Sequence, residues 1–238
     1  MNTMSRRSFV TTAAAGVSAL GAFGSMGPRA EGQLVYTTSD WKVSDFDKVA
    51  KDPARIKQVF DVANINDGNF LGHIKNSLNG LHFGFGIPDP QIKIVAALHG
   101  PANMINYNDF IWNKYKVGEW LKVNDPDTGK PALKNTFYAS KAGATLHYSS
   151  QDPDNEASLY QDGSIQALQS RGVKFLSCHT ATEAQARMMI KRNGLSDPPE
   201  QVVKEMLAHT LPDVLVVASM VAAIALLQAE GHYTYITI

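Results

Sequence analysis

The chain's one cysteine, Cys178, lies in the stretch Gly-Val-Lys-Phe-Leu-Ser-Cys-His-Thr-Ala-Thr-Glu-Ala-Gln, residues 172–185. It follows an apolar run and precedes His179. Thiol chemistry runs through the thiolate, and a thiolate is favoured beside a helix N-terminus or a protonated histidine. Thr180 and Glu183 have the spacing of a capping box, which predicts a helix beginning at Thr180. Cys178 then falls two residues before that start, where unpaired amides and the helix dipole favour an anion. His179 is the candidate thiolate partner. A second reading stays open on the sequence, because a free cysteine is among the most buried residue types and often only packs. With a single cysteine no intrachain disulfide forms.

Three loops follow apolar runs of strand length, and open α/β sheets bind ligands beyond the carboxyl ends of their strands. They hold Asn64, Asn66 and Asp67, then His99 and Gly100, then Ser177 to His179. The candidate pocket is therefore Asn64, Asn66, His99, Gly100 and Thr180, with Cys178 and His179 as the chemical centre. The seven histidines are scattered, without HxxxH or CxxC spacing, so no metal site is predicted. The glycines of His82-Phe83-Gly84-Phe85-Gly86 match neither GxGxxG nor a P-loop, and no Gly-x-Ser-x-Gly elbow appears. Asp67 and Asp109 read as helix caps or solvated groups. No cofactor is predicted; a flavin or small-ligand binder at the strand ends is a weaker alternative.

These loops need a sheet to hold them. Residues 56–65 and 91–100, Val-Lys-Phe-Leu-Ser-Cys, Asp-Val-Leu-Val-Val-Ala-Ser and the closing Tyr-Thr-Tyr-Ile-Thr-Ile read as five strands. Helices alternate with them. The apolar positions Phe70, Leu71, Ile74, Leu78 and Leu81 keep to one helical face, with Asp67 as cap and Gly80 as terminator. Residues 101–115 read as a helix with Pro101 in its first turn. A capped helix follows Cys178 and ends at Gly194. Another starts with Asp197 as cap and Pro198 in the first turn. Residues 220–229 are almost wholly apolar, which predicts a helix buried all round, its outer face covered by a neighbouring subunit or the N-terminal arm. The pattern predicts an α/β fold with a mainly parallel sheet and helices on both faces. Residues 122–157 are polar and without period, and read as an insertion acting as lid, arm or oligomer contact.

Composition narrows the class further. Lys+Arg and Asp+Glu both total 22, so there is no net charge and nothing points to nucleic acid. Residues 1–30 read as an export signal, with Ser5-Arg6-Arg7-Ser8-Phe9 resembling a twin-arginine motif ahead of a small, apolar run. That run is too short to span a membrane. The expected location is periplasmic or otherwise exported. Residues 31–55 read as an N-terminal arm anchored by Trp41 and Phe46, and 56–238 as one domain.

Several segments together resemble the DsrE/DsrF-like family of small sulfur-relay proteins. They are Val-Phe-Asp-Val-Ala-Asn-Ile-Asn-Asp-Gly, Ile-Lys-Ile-Val-Ala-Ala-Leu-His-Gly-Pro-Ala, the stretch from Leu159 through Cys178 to Ala184, and the ending from Leu226. The likeness covers residues 56–121 and 156–238. It implies a five-stranded α/β/α sandwich, flavodoxin-like in general architecture, and a homo-oligomer, often a trimer or hexamer. It also implies that Cys178 carries sulfur as a persulfide between a donor and an acceptor protein. Against that stands a non-enzymatic oligomeric binding or accessory subunit whose cysteine is structural. The export signal, the arm and the 122–157 insertion depart from the family's small cytoplasmic pattern.

Overall fold

Five apolar runs pair into a single sheet in the computed structural model, which describes residues 41–238. The predicted export signal and the first part of the predicted arm lie outside those residues. The strands are β1 (Ile56–Val62), β2 (Ile92–Leu98), β3 (Lys174–Cys178), β4 (Leu215–Val217) and β5 (Thr234–Thr237). All are parallel, in the order β4-β3-β2-β1-β5. β2 is Ile-Lys-Ile-Val-Ala-Ala-Leu, the near-continuous apolar run of a strand covered on both faces.

This order dictates the layers. Parallel crossovers are right-handed. The steps β1 to β2 to β3 to β4 all move one way, so their connecting helices share one face. The step from β4 to β5 moves back across the sheet, so its helix takes the other. The first face carries α2 (Asn69–Asn79), α3 (Asp109–Lys114), α4 (Val117–Leu121), α5 (Ile165–Ser170), α6 (His179–Asn193) and α7 (Pro199–Ala208). The second carries α8 (Met220–Ala229). It also carries α1 (Val43–Ala50), whose Phe46, Val49 and Ala50 pack with Val95, Leu176 and Val217. The arrangement is a three-layer α/β/α sandwich, as the sequence predicts.

Several local expectations are corrected. Part of the predicted arm is a helix, α1, built into the second layer; Phe46 anchors it in the core and Trp41 is half-buried against the same cluster. Asp67 does not cap α2. It adopts φ 55° inside a 3-10 turn, Asn66–Gly68, and Gly68 at φ 77° precedes the helix. Gly80 does not stop the helix, which runs on into a π-helical turn, Gly80–Gly84. The helix expected over 101–115 is instead a 3-10 segment, Gly100–Asn106, then α3 and α4. The break falls at Tyr107, an extended residue that bridges Thr210, and Asn108 then caps α3 through Phe110 N. α7 starts after Pro198, which displaces Asp197 as the residue before the first turn.

Between α4 and the 3-10 turn Leu159–Gln161 there is no helix or regular strand. The segment is nevertheless tied down by side chains that replace a backbone ladder. Asn135, buried, donates to the carbonyls of Ile105 and Tyr107. Asp162 accepts from Ser164 N, Lys141 N, Ser140 Oγ and Tyr148 Oη. Burial pushes its carboxyl up, but the bonds from Ser164, Lys141 and Ser140 outweigh that and hold it below the usual range. Gly118 meets the Ala132 backbone so closely that a Cβ there would overlap it.

α8 is not buried all round. Met220, Ala223, Ile224 and Leu227 face the sheet, whereas Val221 is 74% exposed and Leu226 is also exposed. No described helix is long and apolar enough to cross a membrane.

Candidate functional site

Cys178 ends β3 and is the residue immediately before α6. Strand alternation decides which way its side chain points. Phe175 packs in the first-layer core, Leu176 and Cys178 in the second. The sulfur is therefore turned away from the helix that follows it in sequence and toward α8. Met220, first residue of α8, donates its backbone N–H to Sγ at 3.4 Å. Thr180 Oγ1 lies 3.3 Å from Sγ and 3.2 Å from the carbonyl of Ala218. Cys178 stands directly before α6, the helix the sequence pointed to, but its sulfur meets the first amide of α8 instead.

Thr180 is not a helix cap, because α6 has already begun at His179. Its hydroxyl has one proton and two acceptor sites. With a protonated thiol, S–H donates to Oγ1 and Oγ1–H donates to Ala218. With a thiolate, Oγ1–H turns to the sulfur and joins the Met220 amide as a second donor. Both protonation states of Cys178 thus find partners without backbone movement. The thiol is 5% exposed.

Beneath the sulfur lies a buried polar cluster that composition does not announce. Asn103 is fully buried. Its Oδ1 accepts from Cys178 N and Ser177 Oγ, both at 2.9 Å. Its Nδ2 donates to Gln185 Oε1 at 3.0 Å and to Thr182 Oγ1 at 3.3 Å. Thr182 donates in turn to the Cys178 carbonyl and contacts Tyr107 Oη, whose phenol burial pushes up. Gln185 Nε2 donates to the Gly100 carbonyl. The loop after β2 and the first turns of α6 are clamped together, and this fixes the backbone that carries Cys178.

The remaining predicted residues are dispersed around this centre. His179 extends along α6, with Nδ1 3.4 Å from Glu183 Oε1, and its side chain is mostly buried. With Ala218 it lines one end of a groove of about 760 Å³ that follows β4 and is walled by Trp41, Val49 and Leu207. His99 Nε2 is bonded to Asp61 Oδ1 at 2.7 Å, so its partner is a carboxylate and not the thiol. Gly100, at φ 49°, lies so close to the Ala63 carbonyl that a Cβ would sit 2.9 Å from it. Asn64 and Asn66 are exposed on the loop after β1. Of the predicted set, Thr180 is the one brought into contact with the sulfur. Met220 and Asn103 were missed, since neither residue type advertises a role. Among the described residues no group of three His, Cys, Asp or Glu side chains could hold a metal ion.

Burial pushes the His179 imidazole below its ordinary value of 6.5, and Glu183 offsets part of that. Unfolding therefore takes up a proton just below that value. The stability contributed by neutral, packed His179 is present above about pH 6.5 and is lost as pH falls through the lower folded value. In urea denaturation, wild type is expected to lose ground relative to His179→Gln between about pH 7.5 and pH 5. A difference that stays constant across that range would refute this assignment.

Neither a scan against protein-family models nor a search of curated proteins finds a match to the chain.

Proposed function

We propose that this is an exported sulfur carrier or sulfurtransferase-like protein of the DsrE/DsrF-like type, working through Cys178. The observation that carries the reading is the setting of Sγ. It lies at the carboxyl end of a central strand, within reach of the Met220 amide and the Thr180 hydroxyl. Both are donors that a thiolate accepts. In the first step the Cys178 thiolate attacks the outer sulfur of a donor persulfide, R–S–SH. The new S–S bond forms on Cys178, the donor's S–S bond breaks, and RS⁻ leaves. An acceptor thiol R′SH then attacks the terminal sulfur and leaves as R′–S–SH; the Cys178 S–S bond breaks and the acceptor's proton passes to the Cys178 sulfur. No external oxidant or reductant is consumed. The twin-arginine-like segment supports a periplasmic setting, and a homo-oligomer, trimer or hexamer, belongs to the same reading.

A second reading has its own support. At 5% exposure Cys178 also fits a thiol that only packs, and the outward apolar residues of α8 fit an oligomeric accessory subunit. Alkylation separates the two. In the carrier, iodoacetamide modifies Cys178 of the folded protein at neutral pH on the timescale of a free thiol. A thiol that reacts only after unfolding would overturn the carrier reading.

A further inference from the structure

Asp61, His99 and Tyr235 form a linked cluster across β1, β5 and the end of β2. In β1 and β2 the odd-numbered residues Val59, Val95 and Ala97 pack in the second layer, and Phe60, Val62, Ala96 and Leu98 in the first. Asp61 shares the side of Val59. His99, one residue beyond β2 and still extended at φ −141°, continues on the side of Ala97. Tyr235 pairs with Val59 and shares that side too. Cys178 packs on the same side. The β2–β3 pairing ends at Leu98 and Ser177, so His99 and Cys178 each stand one residue past the last paired step of neighbouring parallel strands, which lie about 4.8 Å apart.

The cluster has a direction. Tyr235 Oη donates to Asp61 Oδ2, and that carboxylate pushes the phenol up, keeping it a donor. Asp61 Oδ1 accepts a hydrogen bond from His99 Nε2 at 2.7 Å. A carboxylate on Nε2 selects the tautomer protonated there and leaves the Nδ1 lone pair available. Nδ1 has no hydrogen-bond partner among the described residues. Tyr235 is 44% exposed, and His99 and Asp61 are half-buried, so small molecules reach the cluster.

We propose that His99 is the proton acceptor for the thiol that discharges Cys178, with Asp61 and Tyr235 as its positioning residues. This rests on the sulfur-carrier reading. The acceptor R′SH gives its proton to His99 Nδ1 as its sulfur attacks the terminal sulfur of Cys178–S–SH. The Cys178 S–S bond breaks, its electron pair stays on Cys178 sulfur, and the imidazolium returns the proton there. The products are R′–S–SH and the Cys178 thiol, with no net change in proton or electron count.

The test is single-turnover discharge of Cys178 persulfide to free cysteine, followed by mass spectrometry after loading with polysulfide. His99→Ala is expected to load but to discharge about a hundredfold more slowly, the scale of a positioned general base. Added imidazole is expected to restore the rate, which a purely structural loss would not allow. Asp61→Asn, nearly isosteric, covers the case in which His99→Ala does not fold, and it is expected to slow discharge with loading intact. Loaded variants that discharge at the wild-type rate would overturn the proposal and leave the carrier reading standing. A wild-type protein that never loads would overturn both.

Discussion

Asn103→Ala is expected to cost about 3–5 kcal/mol of stability, the scale of breaking a buried hydrogen-bond network. The side chain is fully buried and makes its bonds across three parts of the fold. Truncation leaves the Cys178 N–H, the Ser177 hydroxyl and Gln185 Oε1 short of a partner, all in the interior. An orphaned buried donor or acceptor costs about 1–3 kcal/mol. The new space is small and lined by polar atoms, and a trapped water would recover part of this. Asn103→Asp does not rescue the site, because a carboxylate oxygen would then face Gln185 Oε1 and bring charge into the core. Urea denaturation of wild type and variant measures the effect directly. A loss below about 1 kcal/mol would mean that the clamp beneath Cys178 is not a stability determinant.

The second large effect concerns the thiol itself. Met220 occupies the first position of α8, whose amide has no partner within the helix and donates to Sγ. Proline is tolerated at a first helical position because no intrahelical bond is lost there. Met220→Pro therefore removes this one donor while keeping the helix start. A hydrogen bond to a charged acceptor is worth about 1.5–3 kcal/mol, and an S···H–N bond belongs at the low end. Alkylation of Cys178 in folded Met220→Pro should be about tenfold slower than in wild type, because the reacting sulfur loses one of its two donors. Met220 is also buried, so the comparison needs Met220→Leu, which keeps the amide and nearly the same volume. That variant should react at the wild-type rate. Equal rates for proline and leucine would mean that the Met220 amide does not activate the thiol.

The strands were legible because central parallel strands are apolar throughout, and Ile-Lys-Ile-Val-Ala-Ala-Leu has few other uses. Their order was not, since pairing depends on which connections cross back, and nothing local to β5 says that it sits beside β1. α1 was legible in part: Phe46, Val49 and Ala50 fit one helical face, but the polar residues between them resemble an arm. The misread helix start at Thr180 has a clear physical cause. Capping-box residues also serve other partners, and here the Thr180 hydroxyl is taken by Ala218 and the sulfur. Cys178 stands out by being unique, whereas its hydrogen-bond partners include a backbone amide far along the chain and an asparagine in a 3-10 segment. Asp61, His99 and Tyr235 meet only through strand register, which spacing along the chain does not encode.

Whether folded Cys178 carries sulfur is read from the intact mass of the native protein after exposure to polysulfide, with Cys178→Ser alongside. The prediction is one added, thiol-labile sulfur on the wild type and none on the serine variant. A folded wild type that gains no sulfur, under conditions where the unfolded chain does, would contradict it and leave Cys178 as a packing residue.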